Sequence, residues 1–380
     1  MSTAPLLKGF EVELFTGRSS GENVGVSSEV IRDLPGFVTE PDRRNLEYIT
    51  APLAAYDQLE DALLTPRREL RTWLSARDLT LLPGSTLSLG NPECFERSNP
   101  NNPYHQLIED TYGTSVVTAS VHINLGLEDL ELLFAAVRLV RCEAALLLAL
   151  SASSPFLAGK TTGRHSQRWH QFPLTPKEVP LFLDHQHYIN WVEEQLTSSA
   201  MHNERHLWTS VRPNGPDRPY NLNRLELRIC DLVTDPAELI AITALLELRV
   251  QLLMLHPEQF DPLRSSKLSA GELQRLADSN DQKAASDSLN ATLNHWSDGA
   301  LISCRDWIRE LIQSVEALAE SQKVEERLSP LEGLLENGNQ AMRWLESYAK
   351  GQTISALLAA GTLAMENEEV AALNKSAALG

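Results

Sequence analysis

The chain has 380 residues, which is enough to bury a substantial core in one large domain or in two or three smaller ones. Its 51 Asp and Glu residues outnumber 33 Lys and Arg residues and give a formal charge of -18, which argues against nucleic acid or an anionic membrane as the main partner of the whole surface. Four widely spaced cysteines form no CxxC pair, a pattern that indicates reduced thiols in a cytoplasmic protein rather than a disulfide framework or a structural zinc site.

The first predicted strand lies within residues 9–17, GFEVELFTG. Because successive strand side chains point to opposite faces, Phe10, Val12 and Leu14 share one face and the two glutamates at positions 11 and 13 share the other. Water is the simplest environment for that polar face, since half-exposed antiparallel strands alternate in the same way. What the two glutamates contact therefore depends on the rest of the chain.

Short β-like runs and turn signals continue to about residue 125. One run breaks at Glu40-Pro41-Asp42, and a polar loop rich in Asn and Pro occupies residues 91–105. Residues 114–126, TSVVTASVHINLG, predict a β-branched strand. The first third of the chain is therefore predicted to consist mainly of β-strands.

A long helix is predicted next, because apolar residues recur at spacings of three and four from Leu127 to near Ser151. Its longest apolar run, residues 144–152, is too short to span a bilayer. Residues 153–176 show no clear period and predict a long ordered loop, a kind of segment that often carries function.

Two further strands, within residues 206–213 and 223–232, are joined by a turn-rich segment and predict a hairpin. The remainder of the chain is acidic and predicts helices. The order of strands, helix, loop, strands and helices indicates an α+β fold with a mainly antiparallel sheet.

The face rule applied to three more predicted strands again separates fully apolar faces from polar ones. The polar side chains are mostly Glu, His, Asn and Arg rather than the Thr, Lys and Ser of an ordinary solvated sheet. The polar faces so defined hold Asn45 and Glu47, then Ser120, His122 and Asn124, then Arg224, Glu226 and Arg228.

If these strands share one sheet with aligned faces, several carboxylates converge: Glu11, Glu13, Glu47, Glu226 and, across the Pro41 turn, Glu40. Neighbouring carboxylates raise one another's pKa, and a divalent cation relieves their repulsion. Mg²⁺, with Mn²⁺ as an alternative, takes carboxylate, water and phosphate oxygens as ligands. Arginines on the same faces and in the 159–168 loop suit phosphate and carboxylate groups. This inventory fits chemistry on a nucleoside triphosphate.

Simpler interpretations apply to individual features. A single histidine such as His122 is more often a hydrogen-bonded structural residue than a ligand. The segment GKTTG at residues 159–163 lacks the preceding strand and the full spacing of a P-loop. The chain also contains no GxSxG motif and no cysteine with a neighbouring histidine that would indicate a thiol nucleophile.

Seven blocks of the sequence resemble, in order, those of bacterial glutamate-cysteine ligase within the carboxylate-amine ligase family, most closely its cyanobacterial branch. They cover about residues 6–255 and are GFEVELFTG, EPDRRNLEYITAPL, PGSTLSLG, SNPNNPYH, TYGTSVVTASVHINLG, ALSASSPFLAGKTTGRHSQRW and RLELRICDLVTDP. The resemblance implies an open funnel built on an antiparallel sheet, akin to the catalytic domain of glutamine synthetase, with helices outside. It places the catalytic domain in residues 1–260, with an acidic helical region, residues 261–380, packing on it.

The reaction that the resemblance implies begins with transfer of the γ-phosphoryl group of ATP to the side-chain carboxylate of L-glutamate. The amine of L-cysteine then attacks the γ-glutamyl phosphate. The products are γ-glutamylcysteine, ADP and phosphate, in the first step of glutathione biosynthesis. The implied partners are these small molecules, with no nucleic acid or membrane, and the protein is expected to be a monomer or a homodimer.

Residue roles carry over block by block as implications of the resemblance. The implied magnesium ligands are Glu11, Glu13, Glu40, Glu47 and Glu226, of which Glu40 stands where some relatives have aspartate. The implied catalytic residues are His122, Glu226 and Arg228, and the implied nucleotide contacts are His122, Asn124, Arg224 and Arg228. Arg168 corresponds to an arginine that holds glutamate, and the same loop offers Arg164, Ser153 and Ser154 as further substrate contacts, the two serines for cysteine.

Two alternative functions are compatible with part of this interpretation. A ligase of the same fold could use a different amine acceptor, because the polar sheet face handles only ATP and the carboxylate. A catalytically inactive binding regulator would be indicated by loss of a metal ligand, whereas every expected carboxylate is present.

Overall fold

An antiparallel sheet of seven strands forms the centre of the computed structural model, which describes residues 4–379 and the side chains of residues 4–374. The strands of this sheet and of two small hairpins are β1 (Lys8–Gly17), β2 (Phe37–Thr39), β3 (Asn45–Ile49), β4 (Thr80–Leu82), β5 (Val121–Gly126), β6 (Phe156–Leu157), β7 (Lys160–Thr161), β8 (Val211–Asn214), β9 (Arg224–Leu227), β10 (Thr292–Asn294) and β11 (Leu301–Ser303). The main sheet has the order β2-β3-β1-β5-β9-β8, and β4 pairs with the far end of β1. Within the described residues β2 does not pair with β8, so the sheet is open.

Helices cover the sheet and fill the remainder of the chain. They are α1 (Ser27–Asp33), α2 (Leu59–Ser75), α3 (Pro103–Tyr112), α4 (Leu130–Ser151), α5 (Gln167–Gln171), α6 (His185–Thr197), α7 (Pro236–Leu255), α8 (Pro257–Phe260), α9 (Pro262–Ser265), α10 (Ala270–Asp287), α11 (Cys304–Gln322), α12 (Pro330–Asn337), α13 (Gln340–Ala349) and α14 (Ile354–Leu379). None of the helices in the described part of the chain combines the length and the apolar character that crossing a membrane requires. The predicted α+β fold with an antiparallel sheet and helices outside is confirmed.

The central strand β1 shows why the sheet has one apolar face. Phe10, Val12 and Leu14 are at most 3% exposed and belong to the main hydrophobic core. The alternation predicted from the sequence is therefore confirmed, and it directs the intervening glutamates to the opposite face. The predicted hairpin of β8 and β9 is also present, as an antiparallel pair.

The long helix α4 ends at Ser151, as its apolar period predicted. It begins after Asp129, whose side chain accepts a hydrogen bond from the Leu132 amide and so satisfies one of the free N–H groups of the first turn. The helix packs against β8, β9, α7 and α10. It therefore forms the apolar support beneath the part of the sheet that carries Glu226.

Some local predictions were less complete. The first third of the chain contains the 17-residue helix α2, whose interior Pro66 obscures its helical pattern because proline normally interrupts a helix. The strand predicted over residues 114–126 is limited to Val121–Gly126 and is preceded by a short 3₁₀ helix. The loop predicted at residues 153–176 is ordered but contains β6, β7 and α5.

Helices beyond residue 261 are joined to the earlier part of the chain by buried ion pairs. The Arg71 Nε atom lies 2.6 Å from the Glu369 carboxylate, which connects α2 to α14. The Arg141 Nη1 atom lies 2.7 Å from Asp281, which connects α4 to α10. The division of the chain at residue 260 remains a prediction.

All four cysteines are free thiols. Cys94 is exposed, whereas the other three are buried. Burial raises the pKa of Cys142, Cys230 and Cys304, so these thiols stay protonated and poorly nucleophilic near neutral pH.

Removal of the Glu143 carboxylate should destabilise the fold. This residue of α4 accepts two hydrogen bonds, at 2.6 and 3.1 Å, from the guanidinium of Arg249 in α7, and both side chains are at most 5% exposed. The Glu143→Ala variant would leave the guanidinium buried without a counter-charge, at a cost of about 3–5 kcal/mol in the free energy of unfolding. The measurement is the midpoint of urea denaturation.

The matched control is Glu131→Ala on the same helix. Glu131 pairs with Arg264 at the surface, where the two side chains are 80% and 41% exposed, and exposed pairs contribute little to stability. Equal midpoint shifts for the two variants would contradict the assignment of Glu143 as a structural ion-pair partner.

Candidate active site

The register of the sheet brings the predicted polar faces together. Glu13 of β1 lies directly opposite Glu47 of β3, and Glu11 lies opposite His122 of β5. Glu226 of β9 lies opposite both Asn124 and Arg212. Residues directly opposite one another share a face, so five strands contribute to one polar surface.

This surface forms the wall of a cavity of about 400 Å³. Its carboxylate side is formed by β1, β3, β5 and Glu40, which follows β2 directly. Arginines and aromatic side chains form the remaining walls. The lining includes Glu11, Glu13, Glu40, Glu47, His122, Arg168, Arg205, Arg212, Arg228, Tyr104, Phe172 and Trp208.

Two groups of side chains at the cavity have the composition of cation sites, and all their members line it except Glu226, which lies buried behind the wall. Ligand atoms of Glu13, Glu40 and Glu47 lie within 4.8 Å of one another, as do those of Glu11, His122 and Glu226. Carboxylate oxygens are the protein ligands that hard divalent cations prefer. The first group fits such a cation best, since it contains carboxylates alone.

The carboxylates of the first group are held out of water. Burial, followed by the negative charges of Glu40, Glu11 and Glu13, raises the pKa of Glu47 to about 10. Burial is also the main cause of the raised pKa of Glu13 and of Glu40. Without a bound cation, this group therefore retains at least one proton at neutral pH.

Glu226 has a different environment from the other carboxylates. Its two oxygens accept hydrogen bonds from Arg212 at 2.7 and 3.1 Å, from Asn214 at 2.6 Å and from Arg228. Burial alone would raise its pKa, but the two guanidinium charges hold it well below the usual range. Its carboxylate is therefore ionised and already occupied by protein donors, and its role as a metal ligand stays a prediction.

His122 connects Glu11 to Glu13 through hydrogen bonds. Its Nδ1 atom lies 3.0 Å from the Glu11 carboxylate, and its Nε2 atom lies 3.2 Å from the Ser120 hydroxyl. Ser120 in turn donates to Glu13 at 2.7 Å. The imidazole is thus oriented between the first and second glutamates of β1.

Two arginines offer unused hydrogen-bond donors at the cavity. Arg168 donates to the carbonyl oxygens of Ile229 and Arg228 at 3.0 and 3.1 Å. Within the part of the chain whose side chains are described, the buried Nε groups of Arg168 and Arg228 have no hydrogen-bond partner. Unpaired guanidinium donors of residues that line a cavity suit a carboxylate or a phosphate.

A second cavity of about 480 Å³ lies at the opposite end of the β1 polar face. Its lining combines apolar side chains such as Leu7 and Ile49 with the polar Asn124 and Arg224. Glu11 lines both cavities. The two predicted nucleotide contacts in this cavity, Asn124 and Arg224, are linked by a hydrogen bond of 3.2 Å.

Three predicted substrate contacts lie apart from the residues that line the first cavity. The hydroxyl of Ser153 donates to the Leu232 carbonyl at 2.9 Å, and that of Ser154 donates to Asp231 at 2.7 Å. Arg164 donates to Ser286 at 2.9 Å. Their assignment to a substrate remains a prediction.

Several cavity residues were not identified from the sequence. Arg212 could have been found by extending the face rule to β8, where Arg212 and Asn214 alternate with Val211. Arg205, Tyr104 and Trp208 lie outside the main-sheet strands, so strand alternation gave no signal for them.

The chain matches the model of the family described as "Glutamate-cysteine ligase family 2(GCS2)" over residues 7–366. A protein of Sorangium cellulosum named "Putative glutamate--cysteine ligase 2" is 27% identical over 259 residues, covering 67% of this chain and 66% of that protein. A protein of Gloeobacter violaceus with the same name is 25% identical over 372 residues, covering 94% of this chain and 96% of that protein.

Two solved structures share the fold. A glutamate-cysteine ligase of Francisella tularensis in complex with AMP has a TM-score of 0.75 at 11% identity, covering 97% of this chain and 90% of that chain. A bifunctional glutathione synthetase of Pasteurella multocida has a TM-score of 0.72 at 15% identity, covering 96% of this chain and 53% of that longer chain. The family match over nearly the whole sequence agrees with the resemblance of the seven blocks, and the chain belongs to glutamate-cysteine ligase family 2.

Proposed function

We propose that the protein is an ATP-dependent ligase that joins the side-chain carboxylate of L-glutamate to the amine of L-cysteine. The observation that carries this proposal is the presence, in one cavity, of a buried carboxylate group and of two arginines with unused donors. The carboxylates suit the cations that accompany ATP, and the arginines suit an anionic substrate. Family membership supports a ligase of this class, and the AMP in the Francisella tularensis enzyme supports use of ATP.

Glu13, Glu40 and Glu47 would hold Mg²⁺, with Glu11 and His122 completing a second position and Glu226 beside it. Bound Mg²⁺ would neutralise phosphate charge and so lower the barrier to phosphoryl transfer. Mn²⁺ has the same preference for oxygen ligands. The protein contributes the arrangement of the carboxylates, and the proton retained by the metal-free group would leave as the cation binds.

Arg168, which lines the first cavity and carries an unpaired Nε donor, would bind glutamate there. The Arg228 guanidinium lies next to His122, with 3.4 Å between Nη1 and Nδ1, and Arg228 lines the same cavity as the first group of glutamates. Glu226 fixes this guanidinium through a direct hydrogen bond. A cation held there stabilises negative charge as it develops on the transferred phosphoryl group.

ATP would occupy the second cavity, with its phosphates toward Glu11. Leu7 and Ile49 offer apolar area for a base, and Asn124 and Arg224 offer polar contacts. Because Glu11 lines both cavities, the γ-phosphoryl group and the glutamate carboxylate would meet at this residue. The carboxylate oxygen attacks the γ-phosphorus, ADP leaves, and the γ-glutamyl phosphate remains in the first cavity.

Cysteine would enter from the outer part of the first cavity. That part is bounded by Tyr104, Phe172 and Trp208, and the exposed Arg205 can meet the carboxylate of the acceptor. The amine then attacks the acyl carbon and expels phosphate, and the surrounding side chains limit competing attack by water.

The direct test is phosphate release by the purified protein with Mg-ATP and glutamate. We expect strong stimulation by cysteine and detection of γ-glutamylcysteine by mass spectrometry. Stimulation by another amine in a parallel panel would retain the phosphoryl chemistry and change the acceptor. Absence of stimulation with every acceptor would refute the proposed function.

Replacement of a carboxylate in the first group should abolish most turnover. Glu47→Gln keeps the shape of the side chain but removes one ionised ligand, and we expect kcat/KM to fall by about 100-fold or more. The control is Glu346→Gln, at a surface residue that pairs with Lys350 and should have wild-type kinetics. Full activity of the Glu47 variant would contradict the assignment of the metal ligands.

Binding of Mg²⁺ or Mn²⁺ should release protons at neutral pH. The pKa of Glu47 is raised to about 10, so the metal-free protein is protonated there and the cation must displace the proton. Affinity for the metal should therefore rise as the pH increases from 6 toward 9, roughly the window below that pKa. Isothermal titration calorimetry in Hepes and in Tris measures the proton release directly.

The expected result is a difference in the observed binding enthalpy that follows the ionisation enthalpies of the two buffers. Glu47→Gln serves as the internal control, because it has no titrating carboxyl group and should reduce the difference. Equal enthalpies for the wild-type protein in both buffers would show that no proton is displaced.

A further inference from the structure

Asp231 is a fully buried carboxylate, located just after β9 and outside the lining of both cavities. Its Oδ1 atom accepts a hydrogen bond from the Ser166 hydroxyl at 2.8 Å. Its Oδ2 atom accepts one from the Ser154 hydroxyl at 2.7 Å and another from the Ser153 amide at 2.9 Å. The proposed reaction gives this group no chemical role.

Two of these serines continue the hydrogen-bond chain into helix α5. The Ser154 hydroxyl accepts from the Arg168 amide at 3.1 Å, and the Ser166 hydroxyl accepts from the Trp169 amide at 3.1 Å. A hydroxyl has a single proton, so donation to Asp231 turns its lone pairs toward these amides. The first turn of α5 is thereby held by one carboxylate through two hydroxyls.

The side chain of Arg168 returns to the same segment that carries Asp231. Its guanidinium donates to the carbonyl oxygens of Arg228 and Ile229. Burial lowers the pKa of Arg168, and the charges of Asp231 and Glu13 oppose this shift. Both ends of Arg168 are thus fixed relative to residues 228–231.

Fixing a long arginine before its ligand arrives reduces the entropy that binding must otherwise remove. We propose that Asp231 is a positioning residue for Arg168, acting through Ser154 and Ser166. The proposal rests on the proposed function, in which Arg168 binds the glutamate substrate. It also gives Ser154 a role other than direct contact with cysteine.

Ser153 provides a matched control in the adjacent position. Both Ser153 and Ser154 are at most 1% exposed. The Ser153 hydroxyl donates to the Leu232 carbonyl and lies 3.1 Å from the Ser85 hydroxyl, so it does not connect to α5. Its bond to Asp231 uses the backbone amide, which an alanine substitution retains.

Hydrogen–deuterium exchange of the free protein tests the connection to α5 without any substrate. We expect faster exchange of the Arg168 and Trp169 amides in Asp231→Asn, and of the Arg168 amide in Ser154→Ala. Ser153→Ala should match the wild type in this segment. If Ser154→Ala leaves the Arg168 amide unchanged, or if both serine variants accelerate it equally, the relay through Ser154 is refuted.

Steady-state kinetics test the consequence for the reaction. Loss of one hydrogen bond that orients a charged group should raise the KM for glutamate by about tenfold in Ser154→Ala. The KM values for ATP and cysteine should stay within about twofold in Ser154→Ala, and Ser153→Ala should leave the KM for glutamate within about twofold of the wild-type value. An equal increase in all three KM values, or an increase for cysteine alone, would overturn the positioning role.

The two readouts separate failure of this proposal from failure of the proposed function. If the wild-type protein shows no glutamate-dependent turnover, the proposed function is refuted together with the kinetic role of Arg168. The exchange measurement still decides whether Asp231 holds α5. If Asp231→Asn does not fold, the serine pair answers both questions.

Discussion

Glu13 and Glu47 face each other directly across β1 and β3, and this pairing of like charges is the constraint that the surrounding structure must satisfy. Like charges in opposed positions of a sheet are destabilising, more so when they are buried. The apolar face of β1 holds the strand in register against this repulsion, through residues such as Val12 and Leu14. The polar face keeps an excess of negative charge, which protonation of a carboxylate or binding of a cation reduces.

Buried charges are paired differently at the cavity and between the helices that cover the sheet. There, buried arginines meet acidic partners through two hydrogen bonds, as in Arg249 with Glu143 and Arg138 with Asp261. Such pairs are complete and leave little capacity for a ligand. In the cavity the carboxylates outnumber their partners on one side, while arginine Nε groups lack partners on the other. Unpaired arginine Nε groups also occur elsewhere, as at Arg141 of α4. The sign of a binding site is their occurrence at the same cavity as closely spaced carboxylates.

Strand alternation predicted the polar faces of β1, β3, β5 and β9 because the side-chain period of a strand is a local property. Whether these polar faces come together depends on how the strands pair, and the sequence alone does not determine that register. Glu40 lies outside the strands, so strand alternation gave no signal for it, and its prediction depended on the Pro41 turn and on the family resemblance. Residues 153–168 have no period, so the contacts of Ser154 with Asp231 depend on tertiary packing that local pattern does not encode. Arg212 escaped notice because Pro213 weakens the strand signal of β8.

The position of Glu11 between two cavities bears on how the reactants gain access. In the proposed reaction, ATP and glutamate would occupy separate cavities whose linings have Glu11 in common. An anion in one cavity would change the electrostatic potential in the other, so charge would couple the two binding steps. The Glu11 side chain thus lies between the two cavities, and the charge of a ligand in one cavity would affect binding in the other.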